Sequence, residues 1–274
     1  MEKLEAALEK ARLARKNAQI GVEEITSGPR IVKTPTSEAW ANLPEVTITP
    51  QQARNARIAA LLGGKDATPY DMLRSRTIRM MKENNWRRLA ITSPNAACGK
   101  TTVSLNLALS LARQKDLKVL LIDLDLRRPA LHKVLGYRPA KSMHEVLSGN
   151  VPFSDVAVRC GENLIVAMNN SAARHPAELL HSEQSRVVLA DIEAKWRPDV
   201  TIFDMSPMLA SDDNVGFLGN VDCALLVAAA ESTTLQNIDV CEKELAQLTH
   251  VLGVVLNKCR YNDSSAGYGY EAYE

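Results

Sequence analysis

The feature that most constrains this chain is an apolar run, Leu89-Ala90-Ile91-Thr92, leading through Ser93-Pro94-Asn95-Ala96-Ala97-Cys98 into Gly99-Lys100-Thr101-Thr102 and a helical stretch. A strand, a tight turn and a helix in that order place backbone N–H groups and the positive end of a helix dipole at one point, which suits phosphate. Within such a turn Ala97, Cys98, Gly99, Lys100, Thr101 and Thr102 are the candidate nucleotide-binding residues. Lys100 would reach the β- and γ-phosphates, and the Thr101 hydroxyl would meet Mg²⁺. The first glycine of the G-x-x-x-x-G-K-[ST] pattern is replaced by Pro94, so the motif rests on its second half and its context.

The same grammar repeats along the chain. Short apolar runs at Arg88–Ser93, Lys118–Asp123, Asn163–Met168, Val200–Asp204, Cys223–Ala228 and Val251–Leu256 read as strands. Helical stretches such as Thr101–Arg113, Pro176–Lys195 and Thr233–Leu248 lie between them. This predicts an α/β, P-loop NTPase-like fold, with a mostly parallel sheet and helices on both faces. Two strands end in acids, Ile122-Asp123-Leu124-Asp125 and Phe203-Asp204. Parallel sheets bind ligands beyond the carboxyl ends of their strands, the edge that carries the turn at Gly99. Asp123, Asp204 and Thr101 are therefore the candidate metal ligands, with oxygen donors suited to a hard cation.

The expected organisation is an amphipathic helix over 1–20 (Leu4, Leu8 and Ala11 on one face), a Pro-punctuated linker over 21–50, the nucleotide domain over 51–260 and a tail over 261–274. The helix would dock on its own core or offer a contact to a partner or an anionic membrane surface. The longest apolar run, Cys223–Ala230, is shorter than the roughly 18 residues a membrane span needs. The N-terminus has no signal-peptide pattern, five scattered cysteines never fall in C-x-x-C spacing, and the net charge is only +1. These point to a reduced cytoplasmic setting and give no reason to expect a nucleic-acid partner.

Taken together, the loop ending Gly99-Lys100-Thr101, the strand ending Asp123-Leu124-Asp125-Leu126-Arg127 and the strand ending Asp204-Met205-Ser206-Pro207 resemble the Walker A, A′ and B motifs of bacterial tyrosine kinases (BY-kinases) of the capsule and exopolysaccharide type. His175-Pro176-Ala177-Glu178-Leu179-Leu180 and Val254-Val255-Leu256-Asn257 match further segments, and Asn85–Pro94 with the basic N-terminal stretch is similar to the exosortase-associated tyrosine autokinase branch. The resemblance covers about Thr68 to Tyr261. It implies an ATP- and Mg²⁺-dependent protein-tyrosine autokinase that forms homo-oligomeric rings and phosphorylates neighbouring subunits. It implies catalytic roles for Lys100, Asp123, Asp125 and Asp204, with Asp123 contacting Mg²⁺ or accepting the tyrosine proton, Asp125 assisting as the candidate base and Asp204 holding the metal, and it places Asn257 at the adenine. It also implies a membrane-spanning polysaccharide co-polymerase as activator, recruitment to the inner membrane surface, a cognate tyrosine phosphatase, and control of exopolysaccharide synthesis and export.

Four of the six tyrosines, Tyr261, Tyr268, Tyr270 and Tyr273, fall in the last fourteen residues, an enrichment that marks them as the acceptors. The chain departs from the family at Ala96-Ala97-Cys98, where a Pro-Gly-x-Gly-Lys loop is usual. If Ala97 needs positive φ, the missing glycine costs roughly 1–2 kcal/mol. The ring motif E-x-x-R-x-x-R is only approximated by Asp71-Met72-Leu73-Arg74-Ser75-Arg76-Thr77. The competing readings are a catalytically weak scaffold that binds nucleotide and a membrane partner, and a positioning ATPase. The latter class carries a lysine where this chain has Asn95, and a GTPase is disfavoured because Cys259-Arg260 follow Asn257-Lys258.

Overall fold

The computed structural model describes residues 35–259. The expected N-terminal helix over 1–20 and the tyrosine tail over 261–274 lie outside the described residues. Among the described residues seven strands form one sheet, in the order β3-β4-β2-β5-β1-β6-β7. They are β1 (Arg88–Thr92), β2 (Val119–Asp123), β3 (Ala157–Arg159), β4 (Leu164–Ala167), β5 (Val200–Asp204), β6 (Cys223–Ala229) and β7 (His250–Asn257). All pairs are parallel except β3 with β4.

The helices are α1 (Pro35–Ala41), α2 (Pro50–Asn55), α3 (Ala59–Leu62), α4 (Thr68–Glu83), α5 (Lys100–Ala112), α6 (Leu131–Leu135), α7 (Met143–Leu147), α8 (Pro176–His181), α9 (Glu183–Trp196), α10 (Asp213–Phe217) and α11 (Leu235–Leu248). Successive strand residues point to opposite faces, so β2 feeds two cores. Leu120 and Ile122 join α7, α9, α10 and α11 on one side, and Val119 and Leu121 join α4, α5 and α6 on the other. Both faces are covered, which is why these strands are apolar throughout instead of alternating.

Three local expectations change. Residues 35–49 are not a plain linker: α1 buries Trp40, whose Nε1–H donates to the Trp196 carbonyl at 2.9 Å. The chain then bridges to β3, with the Arg159 and Val46 N–H groups donating to Pro44 and Arg159 carbonyls, both at 2.8 Å. The single helix expected over Pro176–Lys195 is broken at Ser182, whose extended backbone (ψ 143°) ends α8 while its hydroxyl caps Ser185 N–H at 3.1 Å to start α9. Finally, β3 was not expected. Three residues with no hairpin signature leave too little pattern to read.

Candidate nucleotide site

The phosphate loop links β1 to α5. Gly99, at φ 90°, caps the helix, and a Cβ there would overlap the Asn257 side chain. The Asn257 amide donates to the Cys98 carbonyl at 2.9 Å, so the end of β7 is fastened to the loop. Ala97 has φ 62°, the left-handed conformation that the sequence comparison with a glycine-bearing loop anticipates. Cys98 is buried, with Sγ 3.6 Å from the Thr233 hydroxyl, which fits a small packing side chain. The unpaired N–H groups of the first turn of α5, around Thr101 and Thr102, complete the cradle.

The two acidic strand ends meet. β2 and β5 are neighbours, and Asp123 stands in register with Asp204. Lys100 reaches across from α5: its Nζ lies 2.6 Å from Asp125 Oδ2 and 3.9 Å from Asp204 Oδ1. Burial alone would lower the Lys100 pKa, but the Asp204 and Asp125 carboxylates outweigh it and raise it, so the ammonium is held charged. Asp123 is completely buried, and desolvation followed by repulsion from Asp204 pushes its pKa well above the usual carboxylate range. Asp204 is raised by burial, with Lys100 and the facing Thr101 hydroxyl opposing.

Sequence reasoning did not single out several residues that shape this site. Ser104, one helical turn beyond Lys100, donates to Asp204 Oδ1 at 3.2 Å. Asn169 donates to the Asp123 carbonyl at 2.8 Å. Asp213, fully buried at the start of α10, receives Arg127 through two hydrogen bonds of 2.9 Å, fixing the arginine of the Walker A′ strand. The i+4 spacing of Ser104 from Lys100 and the acid pair Asp212-Asp213 before an apolar stretch were the available signals.

A divalent cation fits these groups. Asp204 Oδ2 is buried without a hydrogen-bond partner, an acceptor left open to a cation. A hydroxyl and one or two carboxylates suit Mg²⁺, which draws its other ligands from phosphates and water.

The fold and this loop define a P-loop nucleotide-binding domain, and the sequence matches the CobQ/CobB/MinD/ParA nucleotide binding domain family over residues 89–269. Within that class the chain belongs to the bacterial tyrosine-protein kinases. It is 31% identical to tyrosine-protein kinase YwqD of Bacillus subtilis, across 69% of this chain and 78% of that one. It is 30% identical to a putative tyrosine-protein kinase in the cps region of Klebsiella pneumoniae, over 78% of this chain but 28% of the relative. The first such relatives are longer proteins, and this chain spans about a quarter of their length. Among solved structures it is similar to the kinase domain of the Escherichia coli tyrosine kinase ETK, with a TM-score of 0.66 and 29% identity over 75% of this chain and 80% of that one. More distant neighbours, such as a cobyrinic acid a,c-diamide synthase of Mycobacterium smegmatis (TM-score 0.53, 22% identity), share the fold.

Proposed function

We propose that this chain is an ATP:protein-tyrosine phosphotransferase that modifies Tyr261, Tyr268, Tyr270 and Tyr273 on neighbouring copies and so regulates exopolysaccharide synthesis and export. The observation that carries the reading is the meeting of Lys100, Thr101, Asp123, Asp125 and Asp204 at one sheet edge, beside an open helix N-terminus. ATP with Mg²⁺ is the cofactor these groups suit. The cation, when bound, supplies neutralising charge between the phosphates.

The residues of the chain do the rest by position. Lys100 and the first turn of α5 hold the β- and γ-phosphates, with Thr101 and Asp204 placed for the metal and Asp123 beside them. When Lys100 turns from Asp125 toward a γ-phosphate, the Asp125 carboxylate loses its partner and becomes able to accept the hydroxyl proton of an incoming tyrosine. Asn257, anchored to Cys98, keeps its Oδ1 for a purine. The proposed setting is cytoplasmic, at the inner membrane surface, with a membrane-spanning co-polymerase as activator and a phosphatase as the reversing partner. Among the described residues no helix is long and apolar enough to cross a membrane.

The test is phosphotyrosine formation by the purified chain with Mg²⁺ and ATP. Lys100→Met should abolish it with the fold intact, and replacing the four tail tyrosines with phenylalanine should abolish it while ATP binding persists. Full labelling in Lys100→Met would show that the active site lies elsewhere. The strained Ala97 favours a second reading, a weakly catalytic nucleotide-dependent scaffold. It predicts saturable nucleotide binding with no phosphotyrosine even when the activator is present.

A further inference from the structure

A cleft of about 940 Å³ opens at the sheet edge opposite the phosphate loop, where β1 and β5 begin. A smaller cavity of about 510 Å³ adjoins it and shares Asn85, Arg87 and Asp199. None of the nucleotide-site residues lines either one.

The charged groups of the larger cleft are not used evenly. Its acids are engaged by the fold. Glu193 takes the Arg88 guanidinium at 2.6 Å and the Thr201 hydroxyl at 3.0 Å. Asp222 accepts the backbone N–H groups of Arg87 and Arg88 at 2.7 and 2.8 Å, and Asp199 accepts that of Lys118 at 2.7 Å. The guanidinium groups of Arg87 and Arg197, in contrast, are exposed and have no hydrogen bond or ion pair among the described residues. The two free guanidinium groups are therefore what this wall offers to a ligand, and guanidinium binds phosphate in bidentate fashion.

Two helix ends form part of the cleft wall: Arg197 (φ 46°) closes α9 as a left-handed cap, its N–H donating to the Glu193 carbonyl, and Asn85 (φ 57°) follows the end of α4 in the same conformation. The adjoining cavity offers an aromatic wall, Trp86, whose ring packs 5.0 Å from that of His250 at the start of β7. An arginine pair beside an indole matches an aryl phosphate: charge at one end, a ring at the other.

We propose that this cleft binds phosphotyrosine of the chain's own tail, after the reaction proposed above has made it. The reach is sufficient. The eight residues of β7 run about 26 Å from the phosphate-loop edge back to His250. The eleven residues from Cys259 to Tyr270 span up to about 36 Å when extended. A modified tail would thus be withdrawn from the neighbouring active site and held at the far edge, releasing the product.

The proposal rests on the kinase reading only for the origin of the phosphate, so the test uses chemically made ligand. A fluorescent peptide of residues 260–274, with or without phosphate on Tyr268 and Tyr270, is titrated into the unphosphorylated full chain and followed by anisotropy. The phosphopeptide should bind at least about tenfold tighter than its unmodified twin. Arg87→Gln and Arg197→Gly should each weaken it about tenfold. Arg197→Gly should at the same time raise the melting temperature, because glycine relaxes the φ of 46°, so lost binding cannot be ascribed to unfolding. Mg²⁺-ATP should not displace the peptide. Phenyl phosphate should compete at lower concentration than inorganic phosphate. Equal affinity of the two peptides, unaltered binding in both variants, displacement by Mg²⁺-ATP, or inorganic phosphate competing as well as phenyl phosphate would each overturn the assignment. A chain that makes no phosphotyrosine but binds the phosphopeptide retains this site and loses the reaction; the converse result loses the site alone.

Discussion

Ala97 shows how one residue sets the quality of the phosphate loop. Its φ of 62° brings Cβ toward a carbonyl oxygen, a strain of roughly 1–2 kcal/mol that glycine lacks. Because that strain is carried by the fold itself, Ala97→Gly is expected to raise stability by roughly 1 kcal/mol in urea denaturation. A variant no more stable than the parent would mean that the strain is offset elsewhere in the loop. The identity of Ala97 was plain in the sequence, and its dihedral angle was not. The same limit applies to Lys100, whose partner is Asp125 at 2.6 Å. Nucleotide must compete with that ion pair, so Asp125→Asn should bind nucleotide more tightly yet transfer phosphate far more slowly. Parallel loss of binding and turnover would assign Asp125 to the phosphate cradle instead. Asp213 was invisible beforehand because its partner Arg127 is 86 residues away, and only the fold brings them together.

Among the elements, α4 carries the approximate ring motif, and the structure turns part of that motif inward. Asp71 Oδ1 accepts Arg74 at 2.9 Å, Arg113 at 2.8 Å and the Ser110 hydroxyl at 2.9 Å, clasping α4 to α5. Thr77 is buried, and Arg76 remains exposed. Partial burial works against the Asp71 carboxylate, but Ser110, Arg113 and Arg74 hold its pKa below the usual aspartate value. A folded-state pKa below the unfolded one contributes stability above about pH 4 that is lost as pH falls through the folded value. Asp71→Asn should therefore flatten the acid limb of urea stability against pH; an unchanged limb would show that the clasp is offset by solvent screening. The α1 strap makes a larger contribution. Trp40→Ala removes a buried ring and its bond to the Trp196 carbonyl, and about 3–5 kcal/mol of stability should go with it in urea denaturation. The core strands were readable because short, almost wholly apolar runs, two of them ending in an acid, leave few alternatives. The helix in the Pro-rich stretch was not, since Trp40 becomes a helix anchor only through α9, distant in sequence.

For the whole molecule, strand order decides where chemistry can occur. With β5 between β2 and β1, the two acidic ends and the phosphate loop share one edge, while the arginine cleft takes the other. That the domain was a parallel sheet followed from its apolar runs, but the pairing of β2 with β5, and hence Asp123 with Asp204, requires the fold. The free arginines had no pattern to betray them, because their isolation depends on which acids the strand starts consume. In the proposed cycle the tail would be modified at one edge and held at the other. Each phosphate adds nearly two negative charges, and phosphate on the four proposed acceptors at an interface between copies would add several charges of one sign to a chain whose net charge is only +1. Repulsion between copies at an effective dielectric of about 20 is worth kilocalories at contact distances, comparable with the affinity of a weak assembly. Incubation with Mg²⁺ and ATP should therefore lower the mass measured by light scattering as phosphotyrosine accumulates, and high salt should blunt the effect by screening. A fully phosphorylated sample of unchanged mass would show that these charges do not control assembly.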